Sequence, residues 1–259
     1  MDDKTVKPPT NDTNAISALG SGTTADEPIE GRNLSDVAYD RIERAIVHLD
    51  LRPGSFTTIA DIQDLVKLGR TPVLDAIRKL ADDTLVTVLT RRGLRVAPVQ
   101  LERERRLLAL RRDMERFAVE LATERATSVQ RRQMQQIVRI LIQEAGTRNI
   151  QAFNTLDHRL DILILDAARE PFAERLLRPL HAIFRRTGYI YLKHLDHDGS
   201  AYSGSIERHV DLLAAIADGQ VSEAIKASDE IVNLAGAMVD ALGRDIDPAL
   251  LDASITPFP

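Results

Sequence analysis

Residues 70–97, RTPVLDAIRKLADDTLVTVLTRRGLRVA, change their hydrophobic period halfway along. Thr71 offers an N-cap oxygen and Pro72 suits a first helical position, where its missing N–H costs nothing. Val73, Ala76, Ile77 and Leu80 then recur at three- and four-residue steps, the spacing of one helix face. After Asp83 the runs LVTVL and LRVAPV are of β type, and Thr90-Arg91-Arg92-Gly93 between them carries the glycine of a tight hairpin.

Working upstream, Val37, Tyr39, Ile42, Ala45, Ile46 and Leu49 form a helical row with Ser35 as its N-cap, and Pro53-Gly54 stops it. Ile59, Ile62, Leu65 and Val66 form a second, short stripe that Gly69 ends. Three helices and a hairpin over residues 34–98 describe a winged helix-turn-helix. Downstream the β signal stops. Six amphipathic segments follow, near 101–126, 128–146, 150–169, 171–194, 205–218 and 222–242. The expected fold is mainly α: a winged helix-turn-helix with a small β-hairpin wing, then an all-α six-helix bundle over 101–244. Residues 1–33 are polar, Gly- and Pro-bearing and too poor in large apolar side chains to offset ordering entropy, so a disordered leader is expected. Residues 245–259 hold three prolines after Asp247 and no sustained period, and read as an irregular tail.

The 259 residues include 44% apolar side chains, enough for a sizeable core. With no cysteine, the chain has no disulfide, thiolate metal site, iron–sulfur cluster or cysteine nucleophile, and any metal must use His, Asp or Glu. No apolar run approaches the roughly 20 residues of a spanning helix. The start, MDDKTVKPPTNDTNAISALG, lacks the basic-then-apolar order of a signal peptide. A cytoplasmic protein without a membrane partner is expected. With four Tyr, six Phe and no Trp, an aromatic platform for stacking bases is not expected.

The net charge of −5 hides a local pattern. Ser35 to Ala97 holds ten Lys and Arg against nine Asp and Glu, about +1, leaving about −6 elsewhere. Within it, Arg70, Arg78 and Lys79 mark the third helix and Arg91, Arg92 and Arg95 the wing. A helix fits the major groove, its N-terminus favours phosphate, and Arg pairs bidentately with guanine, so these are candidate DNA contacts. The same charges would also suit an ordinary solvated surface.

The stretches AYDRIERAIVHLDLRPG, IADIQDLVKLGRTPVLDAIRKLADDTLV and RRGLRVAPV resemble the DNA-binding domain of the GntR family of bacterial transcription regulators. Leu51-x-Pro53-Gly54, Arg70-Thr71-Pro72-Val73, Ala76-Ile77-x-x-Leu80 and Arg92-Gly93 carry the likeness over about 65 residues. The resemblance implies DNA contact through Arg70 and Thr71, and the candidate DNA-binding set is Arg70, Thr71, Pro72, Arg78, Arg91, Arg92 and Gly93. Two positions depart from the family: Leu74 stands where a DNA-contacting Arg is usual, and Lys67 where the inter-helix turn usually has Gly. Lys67 would strain that turn if it needs a positive φ.

The helical half resembles the FCD effector-binding domain of the FadR subfamily, with LLALRRDMERFAVELA similar to its first helix and six helices similar to the VanR-type branch. Such domains often hold a divalent metal through Asp and His four residues apart, a later His, and another His 22 residues on. Here the frame reads Asp157, Asp161, His209 and Ile231, so the second ligand is exchanged and the fourth lost.

Periodicity draws attention to the same residues. Phe153, Asp157, Asp161, Ile164 and Ala168 share one helical row; Ile206, His209, Leu213 and Ile216 share another. Inward carboxylates near an imidazole call for a cation. One reading is a divalent metal (Zn, Mn or Ni) on Asp157, Asp161 and His209, with open positions for an effector carboxylate. The other pairs Asp157 and Asp161 with Arg111, Arg185 or Arg186 and leaves His209 as a core histidine, with His181 the substitute ligand if the frame has shifted. Arg111 and Arg185 are the candidate effector clamps. His158, His194 and His197 read as ordinary solvated or structural histidines.

The expected function is a homodimeric transcriptional regulator, by family habit a repressor and not an enzyme. Its operator is double-stranded DNA and its effector a small organic acid. Two rivals remain: a metal-dependent hydrolase on a bundle scaffold, for which no Ser/His/Asp spacing or phosphate loop is present, and a DNA binder with a vestigial pocket.

Overall fold

The computed structural model describes residues 33–255. The expected leader lies outside these residues except for Asn33. The elements run α1 (Leu34–Val47), β1 (Phe56–Thr57), α2 (Ile59–Val66), α3 (Arg70–Asp82), β2 (Val86–Leu89), β3 (Gly93–Val96), α4 (Leu101–Arg125), α5 (Ser128–Glu144), α6 (Ile150–Ala168), α7 (Pro171–His194), α8 (Ser200–Ala217), α9 (Val221–Asp245) and α10 (Pro248–Leu251).

The chain is mainly α, a winged helix-turn-helix followed by a six-helix bundle, with local differences from the expectation that have physical causes. Asn33 rather than Ser35 caps α1, its side chain accepting from the Ser35 amide at 3.0 Å. Gly69 is the N-cap of α3 and makes no side-chain cap bond, so Thr71 lies inside the first turn and Pro72 at the third helical position instead of the first. A proline is tolerated there because first-turn amides have no intrahelical acceptor. The wing is a three-stranded sheet of order β1-β3-β2, in which Phe56 pairs with Arg95 and Thr57 with Leu94. Gly93 has φ +90°, and a Cβ on it would lie 2.4 Å from the Thr57 carbonyl oxygen, so this glycine serves both the hairpin and the approach of β1. α8 starts at Ser200, five residues before the expected point, after Gly199 in the left-handed region. The tail is less irregular than expected. α9 reaches Asp245, and Asp247 caps a short turn that opens with Pro248.

Two cores meet at α7. The winged-helix core of Ile42, Ile46, Ile62, Val73, Leu80 and Leu94 continues into Ala182 and Ile183 of α7. The bundle core of Val119, Met134, Leu141, Leu160, Ile206 and Leu213 lies beyond it. Polar links reinforce the contact. Arg178 reaches Asp40 at 2.8 Å, and Arg186 donates to the carbonyls of Ala97 and Pro98 at 2.7 and 3.4 Å. The C-terminal turn ties back as well: Arg95 donates to both Asp252 oxygens (2.9 and 3.0 Å) and to the Ser254 hydroxyl (2.7 Å), and the Ala253 amide donates to Pro53 O at 2.8 Å.

Lys67 ends α2 at φ 53°, ψ 46°, the left-handed region, and its side chain is exposed. A β-carbon there costs about 1–2 kcal/mol, partly offset by the chain entropy that glycine adds to the unfolded state. Lys67→Gly is expected to stabilise the protein by about 0.5–1 kcal/mol, measured by urea denaturation; an equal or lower midpoint would contradict strain at this turn.

Candidate functional site

On the winged helix, Arg70, Thr71 and Arg78 of α3 and Arg91 and Arg92 of the hairpin tip are exposed, while Pro72 and Gly93 are half-buried. The absent side-chain cap at Gly69 leaves the first amides of α3 facing outward without a competing oxygen, the arrangement that suits a phosphate. Arg91 sits at φ 63° in the hairpin turn, and the Arg92 amide closes that turn on Leu89 O at 3.0 Å. Arg78 pairs with Asp75 at 2.6 Å, an exposed bridge of small worth. Two basic residues are drawn away from this set. Lys79 bonds Asp36 of α1 at 2.7 Å, and Arg95 is held by Asp252.

Within the bundle, α4, α6, α7, α8 and α9 enclose a pocket with one polar end and apolar walls that include Phe153, Phe184, Leu192, Leu234 and Met238. The two helical rows read from the sequence converge there. His209 Nδ1 donates to the Ser205 carbonyl at 2.6 Å, one turn back, so that Nε2 faces Asp157 Oδ1 at 3.1 Å. Phe153 meets the His209 ring edge-on at 5.4 Å between centroids. Burial pushes the His209 imidazole down, but Asp157 outweighs it and the ring is held above its ordinary value. Asp157 in turn is raised by burial and brought below its ordinary value by His209. The two form a charged pair.

Asp161 turns elsewhere. Its Oδ2 lies 3.5 Å from both His181 Nδ1 and Arg185 Nε, neither of which makes a hydrogen bond. Burial raises the Asp161 carboxyl to about 6 against the pull of His181. The other ring nitrogen of His181 bonds Glu115 Oε1 at 2.9 Å, and Arg111 Nε reaches the same oxygen at 3.1 Å while its guanidinium lies 5.0 Å above Phe184. Burial raises Glu115, but His181 and Arg111 bring it down to about 2. Arg185 crosses to α1 and donates to Glu43.

The sequence-derived site is therefore partly assembled. Asp157 and His209 meet; Asp161 lines the same pocket but faces His181 and Arg185. Arg111 pairs with Glu115 rather than with either aspartate, and Arg186 lies outside the pocket, on the Ala97 and Pro98 carbonyls. A divalent metal on Asp157, Asp161 and His209 does not fit this arrangement. The Arg185 guanidinium and the His181 ring already stand against Asp161, Ile231 occupies the fourth position, and no three His, Asp or Glu among the described residues are grouped to hold a metal. His158 lies 3.9 Å from Glu43, and burial and then Arg185 push its imidazole down to about 2.

Sequence reasoning missed Glu43, His48 and Asn154. Asn154 lines the pocket, its side-chain oxygen accepts from His48 Nε2 at 3.2 Å, and its amide nitrogen donates to Arg185 O at 3.4 Å. A signal for Glu43 was present: Tyr39, Ile42, Glu43 and Ile46 follow the i, i+3, i+4, i+7 row, which puts this carboxylate on the apolar face of α1.

Comparison with known proteins agrees with the architecture. Residues 34–96 match the bacterial regulatory proteins of the gntR family, and residues 106–234 match the FCD domain. Escherichia coli McbR/YncC is similar in structure, with a TM-score of 0.71 at 16% identity over 82% of this chain and 100% of that one. A GntR protein from Rhodococcus sp. RHA1 has a TM-score of 0.59 at 18% identity over 82% of this chain and 98% of that one. At such identities the likeness establishes the fold alone. No curated protein matches the chain. No helix among the described residues is long and apolar enough to cross a membrane. The two matched domains, in this order and on this fold, make the chain a GntR-family transcription regulator with an FCD effector-binding domain.

Proposed function

We propose that the chain is a homodimeric repressor. Residues 34–98 read a short palindromic operator through Arg70, Thr71, Pro72, Arg78, Arg91, Arg92 and Gly93, and residues 101–244 dimerise and bind an organic acid. The observation that carries the effector class is the polar end of the pocket. Arg111, His181 and Arg185 put cationic donors beside apolar walls, and His181 Nδ1 and Arg185 Nε are buried without a hydrogen bond. A carboxylate with an apolar body would satisfy both. Arg111 flanks the same end and, already bonded to Glu115, contributes charge and orientation there.

Two-fold symmetry doubles the base pairs that one helix-turn-helix reads. On α4, Leu110 and Phe117 are 46% and 45% exposed, with Met114 and Leu121 half-buried between and beyond them at helical spacing. A second copy of the chain is the occupant we assign to this stripe.

The reading is tested by selecting genomic fragments on the full-length protein and titrating the bound DNA with saturated monocarboxylates. Recovery of a palindromic sequence that a carboxylate releases is expected; binding without sequence preference, or a response to no carboxylate, would contradict it. Arg70→Ala is expected to weaken operator binding by about 1–3 kcal/mol at fixed salt; an unchanged affinity would remove Arg70 from base recognition. Protein purified without chelator is expected to hold substoichiometric zinc, manganese and nickel by elemental mass spectrometry. One metal per chain would restore the Asp157, Asp161 and His209 centre.

A further inference from the structure

Arg185 belongs to two neighbourhoods. From α7 it lines the pocket beside Asp161, and its Nη2 donates to Glu43 Oε1 on α1, the first helix of the winged domain. Glu43 is 2% exposed, and its second oxygen has no hydrogen-bond partner within the protein. Burial holds this carboxyl above its ordinary value against the pull of Arg185 and then Arg178. Asn154 adds a parallel link: it lines the pocket, bonds the backbone of Arg185 and meets His48 at the end of α1.

The guanidinium has a limited number of edges. A carboxylate taken side-on uses Nε together with Nη2, as Arg116 and Asp229 of this protein do at 2.8 and 2.7 Å. At Arg185, a residue of the pocket wall, the Nε lies 3.5 Å from Asp161 Oδ2 without a hydrogen bond, but the Nη2 that would complete the fork is held by Glu43. We propose that Arg185 couples the two domains: an anion that takes its Nε/Nη2 edge in the pocket draws it off Glu43 and loosens α1, and with it the winged helix, on the bundle. This rests on the reading of the pocket as an organic-acid site. Effector occupancy thereby reaches the DNA-reading domain through one shared side chain.

The test is amide hydrogen exchange of α1 in the full-length protein. Glu43→Gln keeps the shape and removes the charge, and Arg185→Lys keeps the charge and removes the fork. Each is expected to speed exchange over Leu34–Val47 by about tenfold, and the double variant no further, because both break one pair. Folded variants, checked by circular dichroism, that leave α1 exchange unchanged would overturn the proposal. Octanoate serves as probe of the pocket, its binding followed by calorimetry. Raised α1 exchange in the native protein but not in Glu43→Gln supports the coupling. Measured octanoate binding with native α1 exchange unchanged overturns it. Fast exchange in both variants, with no carboxylate binding to the native protein, upholds the Glu43–Arg185 tie and overturns the organic-acid reading instead.

Discussion

The desolvation of four carboxylates, Glu43, Glu115, Asp157 and Asp161, constrains the centre of this protein. An ion withdrawn from water costs several kcal/mol unless it meets a counter-charge in good geometry. Each of the four meets one: Glu43 meets Arg185, Glu115 meets Arg111 and His181, Asp157 meets His209, and Asp161 meets His181 and Arg185. These residues come from α1, α4, α6, α7 and α8, so the charge balance fixes how five helices approach one another. Apolar residues of similar volume would hold the bundle at least as well, which makes a buried network of this kind weak as a stability device and informative as a functional one.

α7 also links the winged helix to the bundle. α7 supplies Ala182 and Ile183 to the winged-helix core, Arg186 to the carbonyls after β3, and Arg185 to α1. From the far end of the chain, Asp252 and Ser254 hold Arg95 of the wing. The winged helix is thus anchored through α1 and the end of β3 by α7, a helix that also lines the pocket. Small rearrangements at the pocket have a short physical path to the winged helix through Arg185 and Glu43.

Much of this was legible in the sequence where a period was sustained. The third helix and the six bundle helices carry long 3.6-residue rows, and the meeting of Asp157 with His209 follows from the two rows that hold them. Short or local features were not legible. β1 has two residues, too few for an alternation, and α8 opens with the small polar run SAYSGS, which looks like a loop until Tyr202 is seen buried. Capping failed by two residues at α1, and by two at α3, where a glycine with no side-chain bond does the work expected of Thr71. The metal frame follows a local spacing along the chain, whereas in space Asp161 stands against His181 and Arg185. Asp161 and His181 lie 20 positions apart, and Glu43 and Arg185 142 apart, and no local spacing reveals which cation a carboxylate will choose.

Filling the pocket is proposed to alter how the winged helices are held. The absence of cysteine allows a single spin label at the wing through Arg92→Cys, and electron–electron double resonance then reports the wing-to-wing distance in the proposed dimer. Saturation with a carboxylate shown to bind is predicted to shift or broaden that distance distribution in the DNA-free protein. An unchanged distribution with the pocket occupied would contradict the account.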